Sequence, residues 1–307
     1  MSENTVLAAA SRLPLPPFVG QFLTWFLLNP KRRSDHRTPL SELGLPFETW
    51  TVESMDGMTL AAWHVSHPSP RGVCVLSHGY EGTKGNMLAY ASALHPLGFA
   101  IVMHDFRGHG QSSGRGTTCG LNEPRDLSAT IDAARAAYPT LPVVLLGESM
   151  GAAVTLMTAA QRGDIDAVIA DCPFALLDEA VGRRLETILG LQLGRICTQP
   201  TLDHGAKVLG VHPSVIGPEP IMHLLAKTRL LLVHGTADFV IPLTHAYRIA
   251  DAYPGTPDLW IVEGTGHVTT IQKEFNRYQV KLEAFLRHIG TEEGRDRDAK
   301  RTNRADC

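Results

Sequence analysis

A serine between two glycines occurs twice in this chain, as Gly147-Glu148-Ser149-Met150-Gly151 and as Gly110-Gln111-Ser112-Ser113-Gly114. A serine hydroxyl is a weak nucleophile. The pattern becomes chemistry only where a histidine base, and an acid that orients it, stand within hydrogen-bonding reach. Flanking sequence separates the two matches. Ser149 follows the apolar run "VVLLGE" and leads into "MGAAVTLMTAAQRG", which has helical spacing. A sharp strand-to-helix turn needs glycines where the backbone is crowded, and it lifts the hydroxyl into the open. Ser112 instead sits in a polar, glycine-rich loop after Arg107 and His109, framed by neither strand nor helix. Ser149 is the candidate nucleophile.

On a strand-turn-helix framework the partners are expected in the order serine, acid, histidine. Asp238 follows the apolar run "LLLVHG", and His267 follows "DLWIVEG" in a loop flanked by glycines. Two other carboxylates compete for the acid position. Glu263 is read as still on the strand, and Asp258 as starting it at the wrong end. His234 ends a strand upstream of the acid and is read as a packing residue. Attack on a carbonyl leaves an oxyanion, and each preorganised N–H donor facing it contributes a factor of about 10²–10³. The expected donors are the backbone N–H groups of Met150, next to the nucleophile, and of Tyr80, in the glycine-rich loop "HGYEGTKG".

These residues must be positioned by a scaffold, and the chain supplies one. From about Glu48, "FETWTVES" and "TLAAWHV" read as an antiparallel hairpin turning at Asp56-Gly57. Thereafter apolar strands ("GVCVLSHG", "AIVMHD", "VVLLGE", "AVIADCPF", "RLLLVHG", "DLWIVEG") alternate with helical stretches. One is "NMLAYASALHPLG"; another carries Leu127, Ile131, Ala134 and Tyr138 on one face; the last is "TIQKEFNRYQVKLEAFLRHI". Such alternation implies an α/β fold with a mostly parallel central sheet covered by helices on both faces. Ligands of open parallel sheets sit at the carboxyl ends of the strands, where Ser149, Asp238 and His267 all fall. Residues 48–174 and 229–290 form this core.

Residues 175–228 interrupt the alternation. "LLDEAVGRRLETILGLQLGRIC" reads as one amphipathic helical stretch, followed by a Pro/Gly/His-rich passage to Leu225. A connection this long carries structure of its own, and a helical cap over the sheet edge is expected. Its apolar residues Val181, Leu185, Ile188, Leu189 and Leu193 suit an acyl group, although any helix packing on its domain would use the same residues.

Composition narrows the function class. A net charge of −3 over 307 residues gives no basic field for nucleic acid. Five cysteines without C-x-x-C spacing predict reduced thiols in a reducing, cytoplasmic compartment, with neither a zinc site nor a disulfide framework. Within the N-terminal segment 1–47, Leu13–Leu28 is apolar but short for a membrane span. It reads as a short helix packed on the domain or shielding a lid. Its alternative is a weak peripheral membrane contact through residues 13–28, with Phe22, Trp25 and Phe26 beside the basic Lys31-Arg32-Arg33. Residues 291–307 are charged and read as a disordered tail.

With these residues in view, the chain resembles the α/β-hydrolase superfamily, and within it the capped bacterial esterases and serine aminopeptidase-like hydrolases that include monoacylglycerol-lipase-like enzymes. "LSHGY" at 76–80, "HDFRGHGQSSG" at 104–114, "LLGESMG" at 145–151, "DCPF" at 171–174, "HGTADFVIP" at 234–242 and "GTGH" at 264–267 carry the resemblance. It implies an α/β-hydrolase fold with a helical cap and a catalytic triad of Ser149, Asp238 and His267. It further implies that the loop around Asp105 and Arg107 is structural. A serine nucleophile sets the chain apart from the dehalogenases and epoxide hydrolases of this fold, which the resemblance would give an aspartate.

The expected activity is hydrolysis of a small-molecule carboxylic ester through an acyl-enzyme, with no cofactor, metal ion or nucleic acid. The alternatives are a lipase or monoacylglycerol lipase, a thioesterase, a serine aminopeptidase that would grip an ammonium group with Glu148, Asp178 or Glu179, and a non-catalytic ligand-binding protein on the same scaffold.

Overall fold

The computed structural model describes residues 16–291. The rest of the expected C-terminal tail, Cys307, and Leu13 to Leu15 of the apolar segment lie outside the described residues. The chain enters through helix α1 (Pro17–Leu28), with Pro17 preset for the first turn. The short α2 (Pro39–Leu43) follows, closed by a capping box between Thr38 and Ser41. Strands β1 (Glu48–Glu53) and β2 (Thr59–Val65) then pair antiparallel across the Asp56-Gly57 turn.

Next come β3 (Gly72–Ser77), α3 (Leu88–Leu94), β4 (Phe99–His104), α4 (Glu123–Ala137), β5 (Val143–Glu148), α5 (Met150–Arg162) and β6 (Ala167–Asp171). After the paired helices α6 (Leu177–Leu189) and α7 (Leu191–Leu209), the pattern resumes with β7 (Arg229–Gly235), α8 (Thr244–Ala252) and β8 (Asp258–Val262). Helices α9 (Thr270–Lys273) and α10 (Phe275–Leu286) complete it. The eight strands form one sheet in the order β1-β2-β4-β3-β5-β6-β7-β8. From β4 to β8 every neighbouring pair is parallel, as the strand-helix alternation implies.

Successive strand residues point to opposite faces, and the core divides accordingly. Val73, Val75, Val143 and Leu145 pack beneath α4 and α5, while Cys74, Leu76, Val144 and Leu146 face α3 and α10. Helices therefore cover both faces, and the central strands are buried throughout.

Several elements differ from the sequence expectation. The stretch read as one helix near residues 86–98 is a 3-10 turn, then α3, then a second 3-10 turn carrying Pro96 and closed by left-handed Gly98. The last helical stretch breaks at Glu274 into α9 and α10. The insertion is two helices broken at Gly190, and α7 runs straight through Pro200. Proline disfavours a helix interior, but tertiary packing overrides it here. Gly20 of α1 seats against Pro200, where a Cβ would come within 2.3 Å of its carbonyl oxygen. The Thr24 hydroxyl donates to the Thr201 carbonyl at 2.9 Å.

The N-terminal helix is therefore part of the fold. Leu23 and Leu27 bury against Leu185 and Cys197, at about 1.5–3 kcal/mol for each leucine. The Leu28 carbonyl accepts the Thr117 N–H of the core at 2.8 Å. The opposite face of α1 exposes Phe18, Phe22, Trp25 and, less fully, Phe26. No helix among the described residues is long and apolar enough to cross a membrane.

Candidate active site

Strand β5 ends at Glu148, and the chain turns through Ser149 into α5 with Ser149 at φ 52°, ψ −118°. A positive φ at a non-glycine residue is held only when its surroundings over-determine it. The Ser149 N–H donates to the Asp171 carbonyl at 2.8 Å. A Cβ on Gly147 would lie 2.3 Å from the Gly151 oxygen, and one on Gly151 would lie 2.2 Å from the Ser77 oxygen. Both flanking glycines are therefore fixed by contact distance.

His267, in the loop after β8, places Nε2 2.8 Å from Ser149 Oγ. Its Nδ1 lies 2.8 Å from Asp238 Oδ2, so the three residues form one hydrogen-bonded chain. Asp238, in the loop after β7, accepts the Val240 and Ile241 N–H groups on its other oxygen at 2.9 and 2.8 Å. Burial pushes its carboxyl up, but the His267 bond and charge and the Ile241 N–H outweigh it and hold it below the usual range.

His234 does more than pack. Fully buried, it bonds the Ile241 carbonyl at 2.8 Å and lies 3.5 Å from Asp238 Oδ2, pinning the same loop from below. The rival acids are elsewhere: Asp258 pairs with Lys281 at 2.6 Å, and Glu263 is exposed one residue beyond β8 rather than on it.

Ser112 is buried, donating to the Asp105 carbonyl at 2.6 Å and accepting the Ala61 N–H at 2.9 Å. Asp105 bonds the Lys84 N–H and ammonium and the Gln111 N–H. Arg107 bridges Asp126 and Asp56. This loop is a buried ionic scaffold.

Ser149 and His267 open into a cavity of about 820 Å³, part of it open to solvent. Its walls are mainly apolar, with Phe174, Leu177, Ala180, Val181 and Leu27 among them. The sequence-predicted cap residues divide. Val181 faces this cavity and Leu185 is buried against α1, but Ile188 and Leu193 are 42% and 46% exposed, so they do not contact a ligand there. Tyr80 and Met150 both line the same space. Met150 begins α5, so its N–H has no acceptor within the helix.

In comparisons with known proteins, the sequence profile described as serine aminopeptidase, S33 (Hydrolase_4) matches residues 68–211. An uncharacterized protein of Mycobacterium tuberculosis, Rv2307c, is 30% identical over 225 residues, 70% of each chain. The chain belongs to the α/β-hydrolase superfamily. Human monoglyceride lipase is 33% identical over 138 residues, 43% of this chain and 44% of the lipase. Among solved structures, the Pyrococcus furiosus esterase Pf2001 superposes with a TM-score of 0.72 at 23% identity, covering 87% of this chain and 99% of the esterase.

In this α/β-hydrolase several residues around the site have surroundings that sequence reasoning does not give, Glu148 among them, although the sequence makes it a candidate for gripping an ammonium group. Glu81 lies on the cavity wall and faces Arg184 at 3.4 Å and Arg33 at 3.8 Å. Glu148 is buried behind the nucleophile turn, where its Oε1 accepts the Gly79 N–H at 3.4 Å. Burial and the Asp171 carboxylate push Glu148 up to about 7. Burial likewise pushes Asp171 up to about 6, even though it accepts hydroxyls from Tyr90 and Tyr278.

Glu123 accepts four hydrogen bonds from Thr117, Thr118 and Gly120, fixing the loop that brings Cys119 to the cavity. The Glu81, Glu148 and Asp171 pairings have no local sequence signal, because each joins residues far apart in the chain. Those of Glu123 are local, but they reach into a stretch that carries no regular strand or helix pattern. Cys74, Cys119, Cys172 and Cys197 are free thiols. Among the described residues, Cys172, Asp238 and His267 alone place histidine, cysteine or carboxylate donor atoms close enough to share an ion, within 4.8 Å. Two of the three already bond each other, and burial pushes the Cys172 thiol well up, away from the thiolate a metal needs.

Proposed function

We propose that this chain is a serine esterase that cleaves carboxylic esters through an acyl-enzyme. The observation that carries the reading is the Ser149–His267–Asp238 chain, 2.8 Å at each link, opening into an apolar cavity. His267 Nε2 takes the Ser149 proton as Oγ attacks the ester carbonyl, and Asp238 fixes the imidazole tautomer and stabilises its charged form. The Tyr80 and Met150 N–H groups receive the developing oxyanion. His267 then returns the proton to the leaving alcohol, and water enters through the same base.

An aminopeptidase would need a free carboxylate for a substrate ammonium. Glu179 is bound to Arg248 at 2.7 Å, Asp178 lies outside the cavity, Glu81 faces two arginines, and Glu148 is buried outside the cavity lining with its carboxyl pushed up by burial. A monoacylglycerol substrate is a second reading, supported by the similarity to human monoglyceride lipase. The test is hydrolysis of p-nitrophenyl esters from acetate to palmitate, beside Ser149→Ala and labelling by a fluorophosphonate. Activity that survives Ser149→Ala overturns the assignment. A rate that climbs toward the long chains favours the lipase reading over the esterase.

A further inference from the structure

Gly79, in the loop after β3, meets two opposed demands. A Cβ there would lie 3.2 Å from the Ser149 Cβ, so the close approach to the nucleophile turn favours glycine. Glycine is also the residue whose backbone swings most freely, and the N–H of the next residue, Tyr80, swings with it. The fold answers by gripping the peptide on each side of Gly79. The Gly79 carbonyl lies 2.7 Å from His78 Nδ1 and accepts the Gly82 N–H at 3.0 Å. His78 Nε2 accepts the Phe106 N–H at 3.1 Å, so the imidazole proton sits on Nδ1 and is donated to that carbonyl. Burial pushes the His78 imidazole down and keeps it neutral. In a trans peptide the N–H points opposite to the carbonyl, so the Tyr80 N–H is turned away from His78. Among the described residues this N–H has no acceptor.

The second grip is Glu148, whose Oε1 accepts the Gly79 N–H at 3.4 Å. One hydrogen bond thus joins the residue before the nucleophile to the residue before the oxyanion donor. Glu148 is buried and does not line the cavity, so it does not touch substrate. The ionisable groups around it are Asp171 at the end of β6, Tyr90 of α3, Tyr278 of α10, and His267. Tyr90 and Tyr278 are engaged on Asp171.

We propose that Glu148 is a positioning residue of the oxyanion site, whose carboxyl fixes the Gly79 backbone so that the Tyr80 N–H faces the oxygen that develops on the Ser149 adduct. It acts as a hydrogen-bond acceptor, not through its charge. This role rests on the ester-hydrolase reading and deepens it.

Two variants separate acceptor from charge. Glu148→Met keeps most of the volume and removes the acceptor, whereas Glu148→Gln keeps an acceptor oxygen and removes the charge. The readouts are kcat and KM for p-nitrophenyl butyrate, and Ki for a butyl trifluoromethyl ketone, whose serine adduct carries the oxyanion. A whole oxyanion donor is worth about 10²–10³ in kcat, and a misaligned one keeps part of that. Glu148→Met is expected to lower kcat roughly 10–100-fold with little change in KM, and to raise Ki by the same factor. Glu148→Gln is expected to restore both. A folded Glu148→Met protein with wild-type kcat and Ki overturns the role. So does a loss confined to KM, which marks general loosening. A Glu148→Gln protein as impaired as Glu148→Met overturns it too, since the effect then belongs to the charge near His267.

Should Glu148→Met not fold, amide spectra of the wild type and Glu148→Gln decide the matter. Burial and Asp171 push the Glu148 carboxyl up to about 7. The Gly79 amide is therefore expected to shift between pH 5 and pH 8 in the wild type and to lose that shift in Glu148→Gln. The same shift in both proteins removes the grip but keeps the hydrolase. A wild-type protein that a fluorophosphonate does not label at Ser149 removes the hydrolase reading and the positioning role with it.

Discussion

Asp238→Asn tests the acid at the far end of the hydrogen-bonded chain. The carboxylate gives one oxygen to His267 Nδ1 at 2.8 Å and the other to the Val240 and Ile241 N–H groups. An asparagine has one acceptor oxygen. If that oxygen keeps the two backbone donors, the amide N–H₂ faces His267 and selects the tautomer protonated at Nε2, which cannot accept the Ser149 proton. The lost charge can be sized independently. Opposite charges 2.8 Å apart attract by roughly 6 kcal/mol at an effective dielectric constant of about 20. At 1.36 kcal/mol per tenfold in rate, that is about 10⁴ in kcat, the scale found for this substitution in triad hydrolases. The assay is p-nitrophenyl butyrate hydrolysis, with fluorophosphonate labelling to count competent serines and thermal unfolding to confirm the fold. A variant within tenfold of wild type would refute Asp238 as the orienting acid.

Gly151→Ala drives a Cβ to 2.2 Å from the Ser77 oxygen, and we expect it to lose at least 2 kcal/mol in urea unfolding, with no stable elbow. Lys84→Met leaves Asp105 buried without its 2.5 Å partner, and a loss of about 3–5 kcal/mol is expected by the same measurement. Glu148 is raised by burial and the Asp171 carboxylate to about 7, so between the unfolded carboxyl range and pH 7 the folded state binds the extra proton. Stability should therefore fall by up to about 1.4 kcal/mol per pH unit as pH rises through that window, and Glu148→Gln should flatten this slope in denaturation midpoints taken from pH 5 to 8. Asp238 is held low by His267, so its contribution has the opposite sign: present above the unfolded carboxyl range and lost as pH falls below it, a decline that Asp238→Asn should remove.

What the sequence made legible follows from where the information sits. Ser149 follows its apolar strand directly, and Asp238 and His267 lie in the loops just after theirs. Parallel strands carry their following loops to one edge, so local pattern and topology together predict the meeting. The same logic told Ser149 from Ser112, since only Ser149 has a strand before it and a helix after it. The cap was legible as an interruption but not in its parts. Local rules make Pro200 a breaker, whereas α7 keeps it because α1 packs there. The leucines at 185 and 193 read alike, yet one is buried against the N-terminal helix and the other faces solvent. The Glu81–Arg184 and Glu148–Asp171 pairings depend on loop closure and strand register, which single-chain periodicity does not encode.

The tie between Thr24 and Thr201 spans 177 residues, and it has a consequence for biosynthesis. Helix α1 is translated before the helix it docks against, which is made much later. At roughly 5–20 residues per second, the wait is roughly 10–35 s. During it, Phe18, Phe22, Trp25 and Phe26 have company from Leu23 and Leu27, which are buried in the finished fold. The nascent chain therefore carries a largely apolar helix without its α7 partner over a stretch of 177 residues of synthesis. The wall of the cavity that Leu27 supplies cannot exist until α7 has been translated.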